Sequence, residues 1–334
     1  MLIRQIVKYK IIIISVLCLL IYTTTNSQTS LNSSMAVKEV RESAYITQQV
    51  EMLDFADDKE GYWLFLPKGI KEKQRKNVIV FIHGYGGYNP FIYGAWIKHL
   101  VKQGHPIIYP RYQKNLYPPK TKDFVDNSVT GIKAALVKLD ELGYSKDLWK
   151  TFDYTVHSYG GVIAANMVGN QMQHGLPKAR NMLLCSPGSG PFKGCVLENY
   201  HMLPDDINLV IMTSEHDTTV GDKLGTCIFR TAVNTPNRVY LRQHASENGK
   251  RNVTASHNEC YALDMDFDTG IRNYTAKKAL RIGKTDILDY NGYWKIMDDL
   301  IAQADKMDLF VKEMKEWPLS DNEDEVKGLV VRRP

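Results

Sequence analysis

The chain has 334 residues, of which 44% are hydrophobic and 24% are charged, and its formal net charge is +5. This composition fits one large α/β domain or two small ones, and it argues against a disordered chain or a repeat array. Part of the positive charge lies in the first ten residues, and the rest of the chain has no concentrated basic patch, so we do not expect nucleic acid as a partner.

The first 27 residues differ from everything that follows. Arg4, Lys8 and Lys10 precede an apolar run at residues 11–22, and small polar residues continue to residue 27. This order is typical of a secretory signal peptide. The apolar run is shorter than the roughly 20 residues that span a membrane, so an uncleaved anchor is the weaker alternative. We expect a secreted or periplasmic protein without stable membrane insertion once the signal is cleaved.

Strand and helix patterns alternate after a polar lead-in. Residues 28–60 hold this lead-in and the first strand region, and residues 44–52 and 61–67 are predicted as antiparallel strands. Further strands are predicted at residues 77–83, 105–109, 152–157, 181–185, 209–213 and 238–242, and helices at 93–103, 129–142, 160–172 and 293–311. The predicted fold class is α/β, with a mostly parallel central sheet covered by helices on both faces. The domain spans residues 61–316, and a charged, loose tail follows at 317–334.

Four cysteines follow the signal segment, at Cys185, Cys195, Cys227 and Cys260. An even number in an oxidising compartment permits disulfides, and pairing along the chain joins Cys185 to Cys195 and Cys227 to Cys260. Four reduced, buried thiols are the alternative. Their spacing does not match a zinc site, and no metal is expected.

Ser158 stands where an extended, β-branched segment runs into a small-residue helix, within residues 153–167. A hydroxyl held at such a sharp turn projects out of the sheet, and the backbone N–H of Tyr159 can face the oxygen that becomes negative during acyl transfer. Gly160 leaves room for the tight turn, and Gly161 allows the helix to lie close to the sheet.

This junction resembles the serine motif of the alpha/beta-hydrolase family, Gly-His-Ser-x-Gly-Gly. His157, Ser158 and the two glycines occupy the family's positions, whereas Val156 stands where the family has its first glycine. The resemblance covers residues 61–311 and implies the alpha/beta-hydrolase fold with a serine nucleophile. Because the branched Val156 has to fit beneath a crowded turn, a non-catalytic binding protein of the same fold stays open as an alternative.

The family order also implies an acid and a histidine later in the chain, at the ends of later strands. Asp217 follows the strand at 209–213 and stands three residues before a valine, as the family's acid commonly does; Glu215 is its competitor. His257 lies in a loop after the strand at 238–242 and before the closing helix, which matches the family's histidine, and His244 is the fallback.

The glycine-rich turn at residues 83–87 resembles the family's oxyanion loop. The backbone N–H of Tyr85 is the expected second oxyanion donor beside that of Tyr159, although a plain glycine-rich connection is the alternative. Tyr88, Trp96 and Tyr112 lie in or near loops at the same predicted edge. They are candidates for an apolar acyl or aryl pocket, or for packing beneath the loops.

The resemblance implies a secreted serine hydrolase that cleaves carboxylic esters through an acyl-enzyme on Ser158. His257 serves as the base and Asp217 orients it. The expected partner is a small-molecule or polymer ester, and this chemistry requires no cofactor and no metal. A serine peptidase or amidase on the same triad is an alternative within the enzyme class.

Overall fold

The computed structural model describes residues 42–192, 194–245, 254–286, 288–316 and 329–334. The predicted signal segment at 1–27 lies outside these ranges. Within the unit Tyr45–Pro334, the strands are β1 (Val50–Phe55), β2 (Tyr62–Pro67), β3 (Ile79–Ile82), β4 (Ile107–Pro110), β5 (Thr151–His157), β6 (Lys178–Cys185), β7 (Asn208–Ser214), β8 (Arg238–Gln243) and β9 (Val330–Arg332). The α-helices are α1 (Gly94–Lys102), α2 (Phe124–Glu141), α3 (Tyr159–Gly169), α4 (Gln171–His174), α5 (Lys223–Thr231), α6 (Tyr274–Ile282), α7 (Trp294–Ala302) and α8 (Met307–Glu316). Among the described helices, none has the length and apolar character needed to cross a membrane.

The strands form one nine-stranded sheet in the order β1-β2-β4-β3-β5-β6-β7-β8-β9. Neighbours from β4 to β8 are parallel, while β1 and β2 at one edge and β9 at the other are antiparallel. The predicted α/β class with a mostly parallel sheet is therefore confirmed. The parallel strands also place their carboxyl ends at one edge, where ligands bind in sheets of this kind.

Two buried cores lie on opposite faces of the sheet. Successive side chains of a strand point to opposite faces, and β3 shows this directly: Val80 and Ile82 belong to one core, and Ile79 and Phe81 to the other. Residues of α2, α3 and α5 pack in the first core, and residues of α1, α6, α7 and α8 in the second. Helices therefore cover both faces, as the alternating pattern predicts.

Four elements differ from the sequence prediction: the closing helix, α5, α6 and β9. The closing helix predicted at residues 293–311 is divided into α7 and α8. Helices α5 and α6 were not predicted; α6 buries only Thr275, Ala276 and Ala279, small side chains that give a weak apolar pattern. The predicted tail at 317–334 is corrected at its end, because Val330–Arg332 pairs with β8.

The predicted disulfides are wrong, because Cys185, Cys195, Cys227 and Cys260 are all free thiols. Cys185 and Cys260 lie in the core that contains Phe81, whereas Cys195 and Cys227 pack against the opposite core. The sheet therefore separates the two members of each predicted pair. Proximity along the chain does not carry the information about which face each thiol reaches.

Candidate active site

Ser158 occupies a strained turn between β5 and α3. Its φ of 55° lies in a region that residues with a side chain rarely adopt. Three backbone hydrogen bonds hold it there: its N–H donates to the Cys185 carbonyl at 3.0 Å, and its carbonyl accepts from Gly161 at 2.9 Å and Gly188 at 3.1 Å. Strain persists where the surroundings over-determine it in this way, and such residues cluster at functional sites.

Two glycines permit this turn, as predicted. A Cβ on Gly160 would lie 2.3 Å from the Ile82 carbonyl oxygen in β3, and one on Gly161 would lie 2.5 Å from the Pro187 Cβ. Val156 sits earlier, inside β5, where it pairs with Ile82 and is 1% exposed in the core. Its branched side chain packs within the sheet and does not enter the turn, so the family's first glycine is not needed here.

The structure brings Ser158, His257 and Asp217 together. His257 Nε2 lies 2.9 Å from Ser158 Oγ, and His257 Nδ1 lies 2.7 Å from Asp217 Oδ2. A carboxylate accepts, so Nδ1 carries the proton and Nε2 is left as the acceptor for the serine hydroxyl. Asp217 follows β7 and His257 lies in the loop after β8, so all three residues stand beyond carboxyl ends of parallel strands.

Asp217 is fixed as an ionised acceptor. Its Oδ1 accepts hydrogen bonds from the backbone N–H groups of Thr219 at 2.9 Å and Val220 at 3.0 Å. Burial pushes the pKa of Asp217 upward, but the hydrogen bond and charge of His257 and the two backbone N–H groups outweigh it, so the pKa lies below its ordinary value. The carboxylate is therefore charged at neutral pH, as orientation of an imidazolium requires.

The two competing candidates, Glu215 and His244, pair with each other. His244 Nδ1 lies 3.2 Å from Glu215 Oε2, and the same oxygen accepts from the Ala245 N–H at 2.9 Å. Neither side chain has a hydrogen bond to Ser158 or His257 in the described part of the chain. The structure therefore favours Asp217 and His257 over both alternatives.

His157 is hydrogen-bonded to the loop that carries His257. His157 is fully buried, and its Nε2 donates to the His257 carbonyl at 2.9 Å. Its Nδ1 accepts from the Tyr93 hydroxyl at 2.8 Å, and that hydroxyl accepts from the Gly84 N–H at 3.2 Å. Burial lowers the pKa of His157 to about 3, so the ring stays neutral. Tyr93 and this role of His157 were missed, because local sequence pattern does not show contacts between distant loops.

The glycine-rich turn after β3 lies directly against Ser158. A Cβ on Gly84 would be 3.0 Å from the Ser158 Cβ, which places the next residue, Tyr85, beside the serine. The turn is fixed by the Gly86 N–H, which donates to Gln113 Oε1 at 2.8 Å. Within the described residues, the backbone N–H groups of Tyr85 and Tyr159 have no hydrogen-bond acceptor. Both are therefore available to an incoming oxygen.

A cavity of about 190 Å³ opens on Ser158 and His257. Its apolar lining comes from Tyr85, Tyr159, Phe192, Val220, Tyr261 and Tyr274. Phe192 belongs to the Gly- and Pro-rich segment after β6 and stacks on Tyr85 at a centroid distance of 4.5 Å. Residues 188–192 thus form one wall of the cavity.

The predicted pocket residues Tyr88, Trp96 and Tyr112 do not line this cavity. Trp96 and Tyr112 are fully buried, and Tyr88 is 5% exposed. Trp96 packs edge-on against Phe81, and Tyr112 stacks on His83 and donates to its carbonyl at 2.8 Å. These rings support the loops from beneath, and their sequence positions alone could not distinguish that role from lining a pocket.

In the described ranges, no group of three or more His, Cys, Asp or Glu side chains is arranged to hold a metal ion. No model of a known protein family matches the chain, and a search of curated proteins finds no match. The chemistry of the site therefore has to be inferred from its geometry.

Proposed function

We propose that this protein is a serine hydrolase of the alpha/beta-hydrolase fold that cleaves carboxylic esters through an acyl-enzyme on Ser158. The observation that carries the proposal is the pair of hydrogen bonds, 2.9 Å and 2.7 Å long, that joins Ser158 through His257 to Asp217. Nucleophile, base and orienting acid in this arrangement define the triad. The serine also faces a cavity large enough for a substrate.

In the acylation half, Ser158 Oγ attacks the ester carbonyl carbon while His257 Nε2 takes the hydroxyl proton. The resulting imidazolium is stabilised by the Asp217 carboxylate, which stays ionised. The oxyanion accepts hydrogen bonds from the Tyr85 and Tyr159 N–H groups. The tetrahedral intermediate then collapses, the bond to the alcohol oxygen breaks, and His257 gives its proton to the departing alcohol.

In the deacylation half, a water molecule takes the place of the alcohol. His257 removes its proton, the water oxygen attacks the acyl carbon, and the same two N–H groups hold the second oxyanion. Breakage of the bond to Ser158 Oγ releases the acid and returns the proton to the serine. These steps need no metal or organic cofactor.

The cavity suggests the size of the substrate group that lies beside Ser158. A cavity of 150 Å³ is enough for benzene, and the cavity here measures about 190 Å³. We therefore expect a short acyl chain or a single ring in this space, as part of a small ester or of a group on a polymer. Residues 1–27 support export of the protein, and N-terminal sequencing of the mature chain checks cleavage near residue 27.

The test is hydrolysis of p-nitrophenyl esters, from acetate to long acyl chains, by the mature protein and by Ser158→Ala. We expect the wild type to prefer short chains and Ser158→Ala to lose activity by a factor of roughly 10⁴ or more. Ser128→Ala is a matched control, because Ser128 is also buried but its hydroxyl donates to the Phe124 carbonyl within α2. It should retain activity.

Labelling with a fluorophosphonate provides an independent readout of the same serine. The wild type and Ser128→Ala should be labelled, and Ser158→Ala should not. If the folded wild type neither hydrolyses any ester nor reacts with the probe, the hydrolase proposal is wrong and a ligand-binding protein replaces it. Turnover of amides but not of esters would instead indicate an amidase.

A further inference from the structure

Lys278 is the one lysine or arginine among the described residues that line the cavity beside Ser158. It lies in the middle of α6 and is partly buried. Among the described residues its ammonium group has neither an ion-pair partner nor a hydrogen-bond acceptor, and no Asp or Glu lines the cavity with it. A partly buried ammonium without a counterion leaves a net attraction for an anion.

The carboxylate of the Ser158–His257–Asp217 group is not available as that counterion. Both carboxylate oxygens of Asp217 are committed, Oδ2 to His257 and Oδ1 to two backbone N–H groups. The other ionisable ring in the wall, His157, is neutral because burial lowers its pKa to about 3. Lys278 therefore supplies the fixed positive charge of the cavity wall in the described part of the chain.

Tyr274 adds an apolar surface next to this charge. It lies four residues before Lys278 on α6, so the two side chains share one face of the helix. Tyr274 lines the same cavity and is 67% exposed. An exposed ring beside an unpaired ammonium is suited to a substrate with an apolar body and an anionic end.

We infer that Lys278 makes the site selective for esters that carry a second, negatively charged group, a carboxylate or a phosphate. The ester carbonyl lies on Ser158 while the remote anion pairs with the Lys278 ammonium, and Tyr274 contacts the portion between them. This inference rests on the proposed function and names its substrate class.

The expected preference is moderate, because Lys278 is accessible to solvent. Exposed ion pairs give a few-fold effect, and charge-assisted hydrogen bonds sheltered from water give more. We expect kcat/KM to be roughly 3- to 30-fold higher for an anionic ester than for its neutral counterpart. The preference should shrink as ionic strength rises, since salt screens accessible charges.

The experiment compares substrates that differ only in charge. 4-Acetoxybenzoate and 4-acetoxybenzamide place the difference on the alcohol side, and monophenyl adipate and phenyl 6-amino-6-oxohexanoate place it on the acyl side. 4-Acetoxyphenyl phosphate, compared with the first pair, distinguishes phosphate from carboxylate. The measured quantity is the ratio of kcat/KM for each anionic ester to that for its neutral counterpart.

Four variants test which residue causes the preference. Lys278→Met should remove it by lowering kcat/KM for the anionic esters, so that each ratio falls to about one, and Lys278→Arg should keep it. Lys277→Met is the matched control, because Lys277 is the exposed neighbour on the same helix and its loss changes the net charge equally. It should leave the preference intact, whereas Tyr274→Ala should lower kcat/KM for charged and neutral members alike.

A wild-type enzyme without a preference in any comparison, or a preference that survives in Lys278→Met, overturns the inference. Ser158-dependent hydrolysis of the neutral esters in that case leaves the proposed function standing. If no ester is hydrolysed, the proposed function fails, and titration of 4-acetoxybenzoate against 4-acetoxybenzamide by NMR decides the inference separately. Tighter binding of the anion that depends on Lys278 supports it, and equal binding refutes it.

Discussion

The two oxygens of the Asp217 carboxylate have different hydrogen-bond partners. Oδ1 is held by the Thr219 and Val220 N–H groups of its own turn, and Oδ2 is left to meet His257. The loop after β7 thus fixes the carboxylate independently of the histidine. The carboxylate in turn keeps the proton of His257 on Nδ1. Replacement of Asp217 by asparagine, which has the same shape but no charge, distinguishes the anchoring role of Oδ1 from the role of Oδ2 toward His257.

Asp217→Asn should keep the fold and lose most of the activity. The amide retains an oxygen for the backbone donors, but it presents an N–H toward His257 Nδ1, which favours the wrong tautomer, and it cannot stabilise an imidazolium. We expect kcat for p-nitrophenyl butyrate to fall by roughly 10³- to 10⁴-fold. Glu215→Gln is the matched control, because Glu215 pairs with His244; if it lost as much activity as Asp217→Asn, the assignment of the acid would be wrong.

The resemblance to the alpha/beta-hydrolase family, together with the positions at strand ends, was sufficient to predict that Ser158, Asp217 and His257 meet. The prediction that they meet is confirmed. Ser158 and Asp217 follow β5 and β7, His257 lies in the loop after β8, and parallel strands bring such residues to one edge. Tyr88, Trp96 and Tyr112 were wrongly placed because an aromatic ring after a strand has no local signal for its direction. Phe192 and Lys278 lie on segments whose path over the sheet depends on tertiary packing.

One buried tyrosine connects two loops of the site with the end of β5. Tyr93, directly before α1, accepts from Gly84 in the loop after β3 and donates to His157 at the end of β5. His157 in turn donates to the His257 carbonyl in the loop after β8. The glycine-rich turn after β3 and the loop that carries His257 are thus positioned against each other by hydrogen bonds within the protein.

Tyr93→Phe tests this connection. Its ring fills the same space, but the Gly84 N–H and His157 Nδ1 lose their partner, which costs about 1–3 kcal/mol of unfolding free energy. Because the loops are then less well positioned, we expect kcat to fall roughly 10- to 100-fold with KM nearly unchanged. Steady-state kinetics and urea unfolding measure the two effects.

The control for this variant is Tyr240→Phe. Tyr240 is also buried, and its hydroxyl accepts from Thr213 Oγ1 at 2.9 Å. Among the described residues, its hydroxyl has no hydrogen bond to the two loops or to the end of β5. It should lower stability to a similar extent and leave kcat unchanged. Equal kinetic losses in both variants would mean that stability, and not positioning, explains the effect of Tyr93.

The short strand β9 protects one edge of the sheet. It pairs with Tyr240, Leu241 and Arg242 of β8, and an unpaired edge is a template for association with other chains. Deletion of residues 329–334 should therefore cause concentration-dependent aggregation, which light scattering detects. Deletion of residues 333–334 alone leaves the strand intact, and aggregation of that shorter truncation would show that pairing with β8 is not the cause.

The helices and strands differ in how clearly the sequence pattern predicts them. Strands β3, β4 and β7 are largely continuous apolar runs because both faces of the sheet are covered, and all the parallel strands were predicted within a few residues. Strand β9 has three residues and lies between a charged segment and the chain end, so it has no periodicity to detect. The cysteine pairing was wrong for a related reason. The face of the sheet on which each cysteine lies depends on the path of the chain, and the spacing of cysteines along the sequence does not show it.

At the scale of the whole molecule, buried neutral histidines set the response to acid. His83 and His105 are fully buried, and burial lowers the pKa of each to about 4, while that of His157 falls to about 3. The unfolded chain binds protons at these rings near pH 6.5, whereas the folded chain does not until about pH 4. The unfolded state therefore holds more protons in this window, and the free energy of unfolding falls as pH drops from 6.5 toward 4.

His105→Gln measures how much one histidine contributes to the pH dependence of the unfolding free energy, without disturbing the candidate active site. His105 Nδ1 donates to the Asn77 carbonyl at 2.8 Å, a bond that a glutamine amide can replace. We expect the slope of unfolding free energy against pH between 5 and 6 to decrease by up to about 1.4 kcal/mol per pH unit. Denaturant titrations at several pH values give the slope, and an unchanged slope would show that His105 titrates normally in the folded state.

The strand order also determines how the chain can be reconnected. β1 forms one edge of the sheet and β9 the other, so the first residue of β1 and the last residue of β9 lie at opposite edges. Eight strand spacings of about 4.8 Å place these edges roughly 38 Å apart. A circular permutant would need a linker of about a dozen extended residues to join them, and a shorter one would pull an edge strand from the sheet. Fusion partners attached directly to these two strand ends would, for the same reason, be held well apart.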